Sequence, residues 1–74
     1  LNYNLSKKSM VKITIYDLVG VAVKNLVNEV QNEGKKFIRW NATNNKGQPV
    51  SAGVYLYTIE AGDFRHTKKM ILLK

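Results

Sequence analysis

About six or seven short runs of alternating apolar and polar residues, spaced roughly 8–12 residues apart with turn formers between them, predict an all-β fold of the sandwich or barrel type. No window of helical periodicity reaches the roughly 10–12 residues of a persuasive helix. A third observation narrows the class. Ala52-Gly53-Val54-Tyr55-Leu56-Tyr57 has the arrangement of a tyrosine corner. There a Tyr opens the penultimate strand, its hydroxyl returns to the backbone upstream, and a core residue follows two positions later. Tyr55 takes the corner and Tyr57 the core position, in phase with Ile59. The expected architecture is an immunoglobulin-like antiparallel β-sandwich of six to seven short strands, in one domain over residues 1–74.

The elements follow in order. Leu1–Leu5 alternates, with Leu1, Tyr3 and Leu5 on one face, and predicts a short strand. Ser6–Ser9 is a polar connection. In Met10–Tyr16, Val11, Ile13 and Ile15 face one way and Lys12 and Thr14 the other, and β-branched inward residues suit a half-buried strand. Asp17–Gly20 is a turn, and Val21–Leu26 a second strand antiparallel to the first. Asn28–Gly34 reads equally as a loop, an edge strand or a helical turn. Lys35–Trp40 resumes alternation. Ile38 and Trp40 are assigned inward, because Arg39 is costly to bury without a partner. Asn41–Pro49 is dense in turn formers and predicts a loop. Val54–Glu60 and Phe64–Leu73 are strands joined by Ala61-Gly62-Asp63, a terminal β-hairpin. Gly53 and Gly62 are structural, like Trp40, Tyr55 and Tyr57.

Composition bounds the function. A chain of 74 residues has a thin margin for a core, burying only about 60% of what its unfolded form exposes. It has no cysteine, hence no disulfide framework and no thiolate metal site. No apolar run approaches the ~18 residues of a membrane helix. Leu1 already belongs to an alternating pattern, so the chain is expected to be a fragment of a longer protein. The formal net charge is +7, from 12 Lys and Arg against 5 acids. The cations are spread over turns and outward strand positions, as on a solvated surface with aggregation-resistant edges. They are not clustered with exposed aromatics, and nucleic-acid binding is not expected.

No residues assemble into recognisable chemistry. His66 is the one histidine, on the last strand near a turn, where a solvated surface role outweighs a general base. Zinc needs three or four suitable ligands, and no such set is present. Asn41–Asn45 offers amide oxygens to calcium but no carboxylate, and a plain turn is the better reading. The glycines form no phosphate-binding motif. The chain is not expected to be an enzyme or to hold a cofactor or metal. Sugar binding would use exposed rings from Trp40, Tyr3, Tyr16, Tyr55 and Tyr57. Only Tyr16 escapes an inward phase or the corner, and one ring is a poor platform.

Three stretches resemble a known family: V-K-I-T-I-Y-D-L-V-G-V-A-V-K-N-L (11–26), W-N-A-T-N-N-K-G-Q-P-V-S-A-G-V-Y-L-Y-T-I-E-A-G (40–62) and T-K-K-M-I-L-L-K (67–74). Together they look like the type A C-terminal sorting domain of the type IX (Por) secretion system. The middle stretch is also similar to the immunoglobulin-like domain of flagellar hook-capping proteins. The terminal K-K-M-I-L-L-K favours the sorting domain. The chain departs from that family in lacking a Pro- and Asn-containing segment before Leu1, which leaves an edge open to pairing with a second copy.

The sorting resemblance implies a secreted or cell-surface cargo carried across the outer membrane. Its partners would be the outer-membrane secretion machinery and a sortase-like peptidase. Recognition is then expected on Lys68, Lys69, Met70, Ile71, Leu72, Leu73 and Lys74. Alternation puts Lys69, Ile71 and Leu73 on one face and Lys68, Met70 and Leu72 on the other. One apolar set would enter the core and the other meet a receptor by strand addition. With equal weight, both sets are buried and the strand only completes the fold. The alternative function is a structural or adhesive immunoglobulin-like module of an extracellular multidomain protein, with a carbohydrate-binding module less favoured.

Overall fold

A computed structural model describes residues 1–74. The chain forms six strands: β1 (Asn2–Leu5), β2 (Ser9–Tyr16), β3 (Ala22–Gln31), β4 (Gly34–Phe37), β5 (Gly53–Ala61) and β6 (Phe64–Leu72). They make two antiparallel sheets, one of four strands in the order β3-β2-β5-β6 and one of two strands, β1-β4. This is the expected immunoglobulin-like sandwich, with sheets of unequal width.

The core lies where the narrow sheet covers the wide one. Val11, Ile13 and Ile15 of β2 are fully buried, and Tyr55, Tyr57 and Ile59 of β5 lie beside them. The register explains the grouping: Ile13 faces Ile59 and Ile15 faces Tyr57 across the β2–β5 pair, and partners in a ladder share a face. Leu5 and Val27 complete the buried cluster, and Ile38, Trp40, Met70 and Leu72 pack against it. Ile38 and Trp40 thus take the inward assignment made from Arg39. Thr58 is also buried, although it lies on the opposite face, because Thr14 and Thr67 flank it.

Three connections depend on turn chemistry. Asp17 Oδ1 accepts from the backbone N–H of Val19 (3.0 Å) and Val21 (2.9 Å), which folds the β2–β3 link. The β5–β6 hairpin turns on two residues, Gly62-Asp63, while Ala61 belongs to β5 and pairs with Phe64. Gly62 has φ +60°, and Asp63 is not among the residues with positive φ. Glycine first with positive φ is the type II′ turn, which matches the twist of a hairpin. In the long loop, Asn44 Oδ1 accepts from the N–H groups of Lys46 (2.9 Å) and Gln48 (3.0 Å). Asn45 Oδ1 accepts from Asn25 N–H (2.9 Å), fastening the loop to β3.

Two boundaries differ from the expectation. The ambiguous stretch after Asn28 is mostly strand: β3 runs to Gln31, and its pairing with β2 slips between Ile13 and Thr14 and again between Ile15 and Tyr16. Leu26 and Val23 are the extra residues at those slips, as in β-bulges. They break the two-residue alternation that would have carried the strand through. β4 ends at Phe37, before Trp40, because Trp40 turns away to join the loop.

Candidate recognition surface

Trp40, Gly53 and Tyr55 meet at one end of the sandwich, while Gly62 turns the hairpin at the other end of β5. Tyr55 Oη donates to the Ser51 carbonyl at 2.6 Å, four residues upstream. That bond is the tyrosine corner. The Trp40 ring meets Tyr55 edge to face, with centroids 5.2 Å apart at 76°, and its Nε1 donates to the Thr43 carbonyl at 2.8 Å. Indole and phenol rings bury their apolar bodies while each polar tip finds a backbone acceptor. Gly53, with φ +150°, starts β5 beside the corner, a conformation that costs a glycine nothing.

The structure divides the seven residues expected to be recognised. Met70 and Leu72 are half-buried and pack on the core. Met70 pairs with Tyr55 and Leu72 with Gly53, so these two hold the last strand in place. Ile71 is 65% exposed and Leu73, just past the strand, 84%. Lys69 is exposed on the same phase as Ile71, and Lys74 Nζ donates to the Val50 carbonyl. Lys68 lies on the inward phase, opposite Tyr57, yet is exposed. Of the two arrangements weighed from alternation, one set enters the core and the other faces outward.

Lys68 is one of three exposed residues on a face that should be internal. Phe64 and His66 share its phase and pair with Ala61 and Ile59, and Phe64 is 58% exposed. The narrow sheet stops short of them. Between the free edge of β1 and this part of β6 lies an open groove of about 580 Å³. Its walls include Asn2, Asn4 and Lys7 on one side and Ile59, Phe64, His66 and Lys68 on the other. Alternation held a trace of it: Lys68 and His66 occupy the phase of Met70 and Leu72, and cations on an inward phase signal an uncovered face. Phe37 and Phe64, rather than Tyr16, are the exposed aromatic rings.

The geometry defines a small immunoglobulin-like sandwich closed by a tyrosine corner. Within that class, the model of the FlgD Ig-like domain matches residues 1–63, and the chain belongs to this family of structural immunoglobulin-like modules. The hook-capping resemblance of the middle stretch therefore holds. The sorting-domain resemblance gains no match, and residues 64–74, which favoured it, lie beyond the matched range. No curated protein and no solved structure matches the chain significantly.

Proposed function

We propose that the domain serves as a structural immunoglobulin-like module of a longer secreted or cell-surface protein. The observation that carries this reading is the family match over residues 1–63. It covers β1 to β5 up to the terminal turn, including the corner formed by Tyr55 and Ser51. In such a module the residues serve the fold, and contacts with neighbours fall to whatever edges and faces the sandwich leaves open.

A second reading has one observation in its favour. Ile71 and Leu73 are exposed beside Lys69, and such an apolar and cationic strip suits recognition by an export receptor. On that reading the partners are outer-membrane secretion machinery and a sortase-like peptidase, and the domain is a type IX address. One experiment separates the two. Residues 1–74 are exchanged, in the parent protein, for an unrelated immunoglobulin-like sandwich. The module reading expects export and location to persist. Export that stops on exchange, and returns when the segment 64–74 alone is grafted onto the substitute, would overturn it in favour of sorting.

A further inference from the structure

The groove between β1 and β6 has the chemistry of a missing strand. Ile38 N–H donates to the Leu1 carbonyl at 2.9 Å, and the Leu1 amino group donates back to the Ile38 carbonyl at 2.8 Å. That reciprocal pair sets the alternation of the β1–β4 ladder. With the register Asn2 to Phe37 and Tyr3 to Lys36, Tyr3 and Leu5 exchange bonds with β4, while Asn2 and Asn4 turn their N–H and C=O groups the other way. Those groups form an open strand edge, the surface on which an extended peptide is added. The added strand would lie over Phe64, His66 and Lys68, which the narrow sheet leaves bare.

The floor of the groove specifies the side chains. Phe64 and His66 stack with planes 2° apart and centroids 6.1 Å apart, and Ile59 is buried beside them. Lys68 stands at one end and Lys7 at the other, with Asp63 the one acid among the lining residues. Neither lysine pairs with a carboxylate; the one ion pair of the molecule, Arg65 to Glu60 at 3.6 Å, lies on the opposite phase. An apolar residue over the His66 ring, which stacks on Phe64, and an acidic residue two positions along, over Lys68, would fit this floor. Successive inward side chains of a strand have that spacing.

We propose that this groove binds an extended segment of a partner protein, carrying an apolar and an acidic residue at alternate positions, as an added strand on β1. The inference goes beyond the module reading and does not depend on it. A second copy of the chain fits poorly. Pairing β1 with its own copy sets the two β1 strands about 4.8 Å apart. Each β6 projects past its own β1 on that side, and the two β6 strands would claim the same space.

The test uses the 74-residue chain and a fluorescein-labelled peptide, Thr-Val-Thr-Glu-Thr-Val, followed by fluorescence anisotropy. Saturable binding is expected. Two isomers N-methylated on alternate residues should differ by about tenfold or more, since only one loses the donors aimed at β1. Lys68→Glu should weaken the peptide about tenfold and favour its Lys counterpart, Thr-Val-Thr-Lys-Thr-Val. No binding, equal affinity of both N-methyl isomers, or indifference to Lys68→Glu overturns the proposal. So does a dimer in sedimentation that the peptide dissociates, because the groove would then belong to a second copy.

Discussion

Two tyrosine hydroxyls show how single residues hold so small a sandwich. Tyr55→Phe keeps the ring that Trp40 meets edge to face and removes only the donor to the Ser51 carbonyl. Loss of a hydrogen bond that leaves its acceptor partly buried costs about 1–2 kcal/mol. Urea unfolding should show a lower midpoint with an unchanged slope. Tyr3 Oη donates to Gln31 Oε1 at 2.6 Å, joining the two sheets. Burial raises its pKa above 10.0, and the nearby Glu29 carboxylate adds to the shift. A raised folded-state value means that the folded chain holds this proton more tightly than the unfolded one. Tyr3's share of stability is therefore complete below pH 10 and falls as pH rises through the folded-state value. The advantage of the native chain over Tyr3→Phe, read from urea midpoints between pH 8 and pH 11, should shrink as pH rises.

The terminal strand does two jobs on two phases, and substitutions can separate them. Leu72→Ala removes apolar contact with the core and should cost about 1–2 kcal/mol, less than a fully buried Leu would. Ile71→Ser, on the exposed phase, should stay within about 0.5 kcal/mol. Thermal unfolding of the two variants checks the difference. It also shows why deleting residues 70–74 is a blunt probe of recognition: the deletion removes Met70 and Leu72 from the core along with the exposed Ile71 and Leu73. The N–H and C=O groups of Arg65, Thr67, Lys69 and Ile71 point away from β5 in the ladder, and two of these four residues, Arg65 and Lys69, put cations at this free edge. Like charges there disfavour edge-to-edge pairing of copies. At the other edge, the bulges at Val23 and Leu26 twist β3 away from such pairing.

At the scale of the molecule, the consequential feature is unequal sheet width. Four strands face two, and the overhang leaves Phe64, His66 and Lys68 without a cover. Much of the frame was legible beforehand. The alternation of Val11, Ile13 and Ile15 identified the central strand and its buried face. Tyr55 and Tyr57 identified the corner and its core partner, and Ala61-Gly62-Asp63 the terminal turn, which the structure narrows to Gly62-Asp63. β3 was partly hidden because its bulges shift the phase of the apolar residues. The groove left only the cations on β6's inward phase as a trace, since it arises between residues more than fifty positions apart.

Local chemistry alone therefore determined most of the strand segments, which face of β2 and β5 is apolar, and where Tyr55, Gly62 and the Asn-rich loop turn the chain. These follow from a side-chain period of two and from turn geometry, both confined to a few neighbouring residues. Tertiary structure decided that Met70 and Leu72 enter the core while Ile71 and Leu73 do not, and that Asn2 and Asn4 face an open edge. Burial depends on what lies across the sheet, about 10 Å away, and alternation within one strand carries no record of how wide the opposite sheet will be.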